Sequence, residues 1–226
     1  MPQSEHAHSP APSSVPKDII NMSLSQTPLT TPTIYFGYGS NLWLHQMSIR
    51  CPTSKYLGVA RLPHYTWLIN DRGYANVVEN NKSSPNYTDY VYGLVYSLLQ
   101  EDEKRLDRNE GVPIAYTKEV IPCEFWPSSL HEKANTSAPP FETRDMLVYI
   151  DRNRMTPAKP RDEYVYRMNQ GIRDAVEQGV PENYVKDVMR KFIPEGNEEV
   201  DGKEGKIGEF AKTQAAQFRD ESGVFE

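Results

Sequence analysis

The sequence predicts an α+β fold, a small mixed-sheet barrel flanked by helices. Two observations carry this. Segments rich in β-branched and aromatic residues fill the earlier part of the chain, while the long amphipathic patterns come late. Between them there is none of the strand–helix–strand alternation that a doubly wound parallel sheet requires, which argues against a dinucleotide-binding architecture.

Thr33 to Tyr38 reads as a strand that runs into a Gly-Ser-Asn turn, followed by an amphipathic stretch from Leu42 to Ile49. Further strands are expected at Tyr56 to Asn70, Tyr74 to Glu79, Tyr90 to Ser97, Tyr116 to Trp126 and Asp145 to Ile150. Ser97 is placed to cap a helix over Leu98 to Arg108. A longer helix is expected over Arg161 to Gln178, where Tyr164, Met168, Gly171, Ile172 and Ala175 recur on one face. Pro181 suits a first helical turn and leads Val185, Val188, Met189 and Phe192 along another apolar stripe.

These elements fall between two unlike tails. Residues 1–32 are rich in Pro and Ser and read as a mobile arm; residues 33–194 form the core; residues 195–226 form a charged appendage. Glu209 to Phe218 has weak helical character, and the appendage packs either on the core or on a second copy, which leaves a homodimer open.

Composition excludes several functions. With 25 Lys and Arg against 31 Asp and Glu, a net charge of −6 and no basic stripe, a nucleic-acid partner is not expected. No apolar run approaches the ~18 residues of a membrane span, and the first 30 residues lack a basic leader and an apolar signal core, so the cytosol is the expected address. Four Asn-x-Ser/Thr tripeptides, at Asn21, Asn81, Asn86 and Asn135, are then chance matches. Cys51 and Cys123 read as small core thiols. The five histidines, at 6, 8, 45, 64 and 131, show no spacing for a metal or a catalytic triad, and no cofactor is expected.

Two places remain where chemistry can sit. The first is Tyr38-Gly39-Ser40-Asn41-Leu42, where a turn between strand and helix can aim consecutive backbone N–H groups at a carboxylate or a developing oxyanion. Gly37 and Gly39 allow a ligand close to the main chain. Leu42 stands where a dinucleotide fingerprint needs its third glycine, and no Lys serves a phosphate loop. The second is Glu110, at the end of a charged helix broken by Gly111. There the negative end of the helix dipole, together with an apolar cavity, would raise its pKa toward proton-transfer values. Composition alone does not prefer it to Glu101, Asp102, Glu103 or Asp107, which read as a solvated helix face.

The run Ile34-Tyr35-Phe36-Gly37-Tyr38-Gly39-Ser40-Asn41-Leu42 resembles the opening motif of the γ-glutamyl cyclotransferase superfamily. Gly58 to Leu62 resembles its second strand, Val91 to Tyr96 the strand before its acidic helix, and Glu110-Gly111-Val112 its catalytic glutamate with the following glycine. Tyr164 and Gly171, ahead of Gly179-Val180-Pro181, resemble the late helix that closes the site. The resemblance covers roughly residues 33–194; the stretch from Gly171 to Pro181 is about one turn longer than in short animal-type members.

The resemblance implies a barrel-like α+β enzyme without cofactor. It would be a carbon–nitrogen lyase that releases 5-oxoproline from a γ-glutamyl small molecule by intramolecular acyl transfer. Glu110 would shuttle the proton. The segment Gly37, Tyr38, Gly39, Ser40 and Asn41 would bind the glutamyl α-carboxylate and the reacting carbonyl, and Tyr164 would contact substrate. Two other readings stand beside it. One is a specialised cyclotransferase acting on glutathione conjugates of a secondary metabolite, with Tyr65, Trp67, Tyr74, Tyr87 and Trp126 lining a wider pocket. The other is a non-catalytic binding module of the same fold.

Overall fold

The computed structural model describes residues 31–80, 89–130, 132–196 and 203–219. Most of the N-terminal arm, with Asn21, His6 and His8, lies outside these residues, as do Asn81, Asn86, Tyr87 and His131.

Five strands close into a barrel in the order β1 (Thr33–Gly37), β5 (Tyr90–Leu98), β2 (Lys55–Pro63), β6 (Thr117–Pro127) and β7 (Glu142–Ile150). Neighbours are antiparallel except where β7 returns to β1 in parallel, with Leu147 opposite Tyr35. Closure leaves the barrel no open edge, so its apolar strands need no charged guard residues. Val59, Leu62, Val91, Leu94, Met146 and Val148 are fully buried in its core. The expected mixed barrel flanked by helices is thus the observed fold.

The expected strand from Tyr56 to Asn70 is two strands. The chain breaks at His64, whose φ is 73°, and β3 (Tyr65–Ile69) turns away to pair with β4 (Ala75–Glu79) in a separate hairpin. Histidine is among the few side chains seen with some frequency in this left-handed region. Ser97 is likewise not a helix cap. It remains in β5, paired with both Ile34 and Lys55, and α2 (Gln100–Asn109) starts after Leu99 without a side-chain cap.

The helices pack on one another and on the turn that follows β1. α1 (Leu44–Arg50) follows a 3-10 turn at Ser40–Leu42, and its first N–H, that of Leu44, is bound by Asp174 of α3 (Asp162–Gln178) at 2.8 Å. α3 buries Tyr164, Arg167, Met168, Gly171, Ile172 and Ala175, a spacing of three and four residues that puts all six on one face. It ends at Gly179, whose φ of 117° terminates the helix in the left-handed conformation that glycine adopts without strain. α4 (Glu182–Asp187) follows Pro181. α5 (Lys203–Ala216) lies on α3 and α1, with Ala211 and Ala215 fully buried, so this part of the appendage packs on the core.

One close approach fixes α3 against the turn. A Cβ at Gly171 would lie 2.9 Å from both Leu42 Cβ and the Trp43 backbone nitrogen. Gly171→Ala is therefore expected to lower stability in urea by ~1–3 kcal/mol through overpacking, despite alanine's better helix propensity. Equal or greater stability would show that this contact does not hold the helix.

Candidate active site

The site begins where β1 stops. Beyond Gly37 the chain folds into the 3-10 turn, with the Leu42 N–H on Gly39 C=O at 2.9 Å and the Trp43 N–H on Ser40 C=O at 3.0 Å. The turn is anchored from the barrel and hairpin: the Trp67 indole N–H donates to Tyr38 C=O at 3.0 Å and the Tyr96 hydroxyl to Asn41 C=O at 3.1 Å. Ser40, Asn41 and Leu42 are all buried. Gly39 lets α3 come close, since a Cβ there would sit 2.9 Å from the Tyr164 hydroxyl oxygen.

That hydroxyl accepts the backbone N–H of Ser40 and of Ala75, each at 3.2 Å. A hydroxyl has two acceptor lone pairs and one proton to give. With both lone pairs engaged, the Tyr164 proton is left to donate into the cavity its side chain lines. Burial raises the pKa of Tyr164 to about 12, although the Arg167 cation beside it works in the opposite direction. The expectation of an N–H nest at Gly39 and Ser40 is changed accordingly: the Ser40 N–H is spent on holding Tyr164.

Glu110 reaches the same cavity from the end of α2. Its own N–H still bonds to Leu106 C=O at 2.8 Å, and Gly111, with φ of 63°, then turns the chain. The side-chain amide of Asn41 bridges turn and helix, donating to Glu110 Oε1 at 3.0 Å and to the Tyr35 hydroxyl at 2.8 Å. Gln46 fixes the orientation of Asn41 by donating to its Oδ1 at 2.8 Å and to Ser40 Oγ at 2.9 Å. Glu110 as a whole is half-buried, with its carboxylate facing the cavity. Desolvation raises its pKa, opposed by the Arg50 charge, by the Asn41 hydrogen bond, and then by Arg72 and Arg167. A carboxylate shifted upward by burial is better matched to proton transfer near neutrality than a solvated one.

Of the other helix acids, Glu101 is solvated as expected, and the remaining three differ from a solvated face. Asp102 is buried and binds the backbone N–H and the hydroxyl of Thr53, at 3.0 and 2.6 Å. Asp107 accepts the Tyr149 hydroxyl, and Glu103 accepts the Thr33 hydroxyl. Each therefore has a structural partner, and only Glu110 points at the turn.

The cavity encloses ≈ 40 Å³. Of the candidate residues, Tyr38, Gly39, Ser40, Asn41, Glu110 and Tyr164 line it, whereas Gly37 does not and stays in β1 opposite Leu94. Of the aromatic side chains expected to widen a pocket, Tyr74 lines it; Tyr65, Trp67 and Trp126 are buried in packing elsewhere. A larger groove of ≈ 1260 Å³ runs along α3 and α4 and is edged by solvent-facing Arg173, Glu177 and Lys186; it contains neither the turn nor Glu110.

Three arginines in the cavity wall were not singled out from the sequence. Arg167 makes a two-pronged ion pair with Glu163, at 2.8 and 3.0 Å, and donates to Ser40 Oγ at 2.9 Å. Arg72 faces Asp151 at 3.7 Å and stacks over the Tyr74 and Tyr116 rings. Arg50 is 4% exposed, and burial and Arg167 lower its pKa to about 10, so it remains charged at neutral pH. One signal for Arg167 was available: it lies on the buried stripe of α3, one position before Met168. Phe218, from the appendage, also lines the cavity. Among the described residues, no group of three or more His, Cys, Asp or Glu side chains is placed to hold a metal ion, and no helix is long and apolar enough to cross a membrane.

The fold recurs in solved structures. An uncharacterized protein, loc79017, from Homo sapiens is 20% identical with a TM-score of 0.57, over 80% of this chain and 99% of that one. A solved gamma-glutamyl cyclotransferase is 20% identical with a TM-score of 0.55, over 80% of this chain and 98% of that one. YkqA from Bacillus subtilis is 17% identical with a TM-score of 0.52, over 73% of this chain and 56% of its own. No curated protein matches the chain. The family model described as gamma-glutamyl cyclotransferase, AIG2-like, matches residues 35–170, and the chain belongs to that family. Membership supports an enzyme of the γ-glutamyl cyclotransferase type.

The Glu110 shift has a consequence for stability. Because its folded pKa is raised, the site is most favourable when the carboxyl is protonated. The contribution is complete below the unfolded carboxylate range and is lost as pH rises through the folded pKa. Glu110→Gln, which keeps an acceptor for Asn41, should therefore match or exceed the wild-type Tm at pH 7. The gap should close on acidification toward pH ~4. A variant less stable at pH 7 but equal at low pH would mean that the surrounding arginines outweigh the desolvation.

Proposed function

We propose that the chain is a γ-glutamyl cyclotransferase that releases 5-oxoproline from a γ-glutamyl amide, with Glu110 as the proton shuttle. The observation that carries this reading is that the Glu110 carboxylate and the Gly39–Asn41 turn face one cavity and are joined by the Asn41 amide at 3.0 Å. Family membership supports the same class of reaction.

In a γ-glutamyl amide the nucleophile belongs to the substrate. Its α-amine lies one five-membered ring from the γ-carbonyl, and a protein that holds the folded-back conformer turns attack into a well-oriented intramolecular step. That fits a site with no activated serine or cysteine: Cys51 and Cys123 are buried thiols whose pKa values burial raises. An α-amine titrates near pH ~8, so at neutral pH it arrives mostly protonated and must lose a proton before attack. Glu110 takes that proton. The amine nitrogen then bonds to the γ-carbon, and the carbonyl oxygen becomes an oxyanion within reach of the Tyr164 hydroxyl. As the intermediate collapses, the bond to the leaving nitrogen breaks and Glu110 returns the proton to it, while the second proton of the ring nitrogen passes to the departing amine, which leaves as an ammonium ion. No water is consumed and Glu110 ends as it began.

Tyr38, Ser40 and Asn41 contribute the wall against which the glutamyl chain folds, with Asn41 holding the Glu110 carboxylate toward the amine. Gly39 supplies the close approach that brings the Tyr164 hydroxyl over the turn.

Glu110→Gln is expected to remain folded and to lose ~10²–10⁴-fold in 5-oxoproline release. Tyr164→Phe should lose on the order of 10²-fold in kcat, as for removal of one oxyanion donor. An N-acetylated γ-glutamyl substrate, whose amine cannot cyclise, should not be cleaved. Unchanged turnover in Glu110→Gln removes that residue from the mechanism, and cleavage of the acetylated substrate at the normal rate makes the protein a hydrolase.

A further inference from the structure

Arg50 stands one residue beyond what the mechanism uses. It is a buried cation on the last turn of α1, and among the described residues it forms no ion pair, unlike Arg167 with Glu163 and Arg72 with Asp151. Two of its donors are taken up by main-chain carbonyls of the C-terminal segment: Nε donates to Ala215 C=O and Nη2 to Gln214 C=O, each at 2.9 Å. Nε and one Nη form the side-on fork with which a guanidinium grips both oxygens of a carboxylate. Here two consecutive carbonyl oxygens fill that fork. The other Nη donates to Asn41 Oδ1 at 3.3 Å, while the amide nitrogen of the same Asn41 holds Glu110. A guanidinium and a carboxylate thus face one cavity on either side of one asparagine, the polarity of an α-amino acid head group read in reverse.

The segment that fills the fork also fills the cavity. Phe218 sits edge-on to the Tyr74 ring at 5.1 Å, with Arg167 over its face at 5.7 Å, and its N–H donates to Asn109 Oδ1 at 3.3 Å. Gln214 folds over the following turn, bonding the Arg219 N–H at 2.8 Å and the Arg219 C=O at 3.2 Å. With Phe218 in place the cavity encloses ≈ 40 Å³, about the share of one water molecule and far below the roughly 300 Å³ of a small ligand pocket.

We propose that Arg50 is the subsite for the substrate's α-carboxylate, and that the Gln214 and Ala215 carbonyls with Phe218 form an internal plug that this carboxylate displaces. The proposal rests on the cyclotransferase reading and moves the α-carboxylate to Arg50 from the Gly37–Asn41 segment, where the family resemblance puts it, because the Ser40 N–H of that turn is already held by Tyr164. Charge favours the exchange, because a carboxylate neutralises a buried cation that neutral carbonyls only solvate. The substrate's amine then falls beside Glu110, since amine and carboxylate share one carbon.

The test compares γ-glutamylalanine with 4-aminobutyrylalanine, which lacks the α-carboxylate but still cyclises, to 2-pyrrolidinone. In Arg50→Gln the wild-type preference for γ-glutamylalanine, measured as the ratio of kcat/KM values, should fall by about 10- to 100-fold, the worth of a charge-assisted bond. Arg50→Lys should restore part of it. A variant that slows both substrates by one factor marks Arg50 as a cap for α5 and overturns the subsite. On the wild-type chain, saturating 5-oxoproline should speed hydrogen exchange at the Phe218 and Arg219 amides, whereas slower or unchanged exchange overturns the plug. If the wild type yields no 5-oxoproline from any γ-glutamyl amide, the cyclotransferase reading itself fails, and the subsite with it.

Discussion

The Glu110 carboxylate faces a cavity walled by tyrosine rings, where an unanswered charge would cost several kcal/mol, and the arrangement around it follows from how that cost is met. Asn41 supplies a hydrogen bond, and Arg50, Arg72 and Arg167 supply positive potential. These do not fully cancel the desolvation, so the group stays an easier proton acceptor than a surface glutamate. The arginines are themselves expensive to bury. Arg167 is answered by Glu163 and Arg72 by Asp151, both outside the reacting space, while Arg50 is met by carbonyls and Asn41. The cavity thus keeps one adjustable anion and an excess of fixed cation. That balance suits a substrate that brings a carboxylate and a proton together.

The scaffold makes the balance possible by fixing each partner from a different element. β1 ends in the turn that presents Asn41, α2 ends at Glu110, α1 ends at Arg50, and α3 carries Tyr164 and Arg167 on its buried face. None of these side chains relies on a long loop for its position. The barrel closes the sheet, and the close approach at Gly171 ties α3 to the turn. The hydrogen bonds among Gln46, Ser40, Asn41 and Arg167 then lock rotamers that would otherwise wander.

Much of this was legible from residues alone. The strands, the late helix and the turn leave patterns of period two, period three to four, and glycine, and those patterns are local. The turn was marked by a motif, and Glu110 by a helix end together with the family resemblance; both line the cavity. The arginines were not, because burial of a cation depends on partners far along the chain: Arg50 meets residues 214 and 215, and Arg167 meets residue 40. Asp102 was misread for the same reason, since its place among four acids looks solvated until Thr53 is seen to bind it. His64 hid the break between β2 and β3, as an apolar run gives no warning of a positive φ at a residue that is not glycine. Phe218 read as the last residue of a weakly helical segment in the charged appendage, and only the packing of α5 on α1 and α3 brings it to the cavity.

The central claim is that the bond-breaking nucleophile is the substrate's own amine and that the protein supplies shape, charge and a proton path. It is tested most directly by letting the wild-type protein act on a γ-glutamyl dipeptide in water enriched in the heavy oxygen isotope and weighing the products. The account predicts 5-oxoproline that carries none of the heavy isotope. Glutamate bearing a heavy oxygen in its γ-carboxylate would mean that water attacks, and would contradict it.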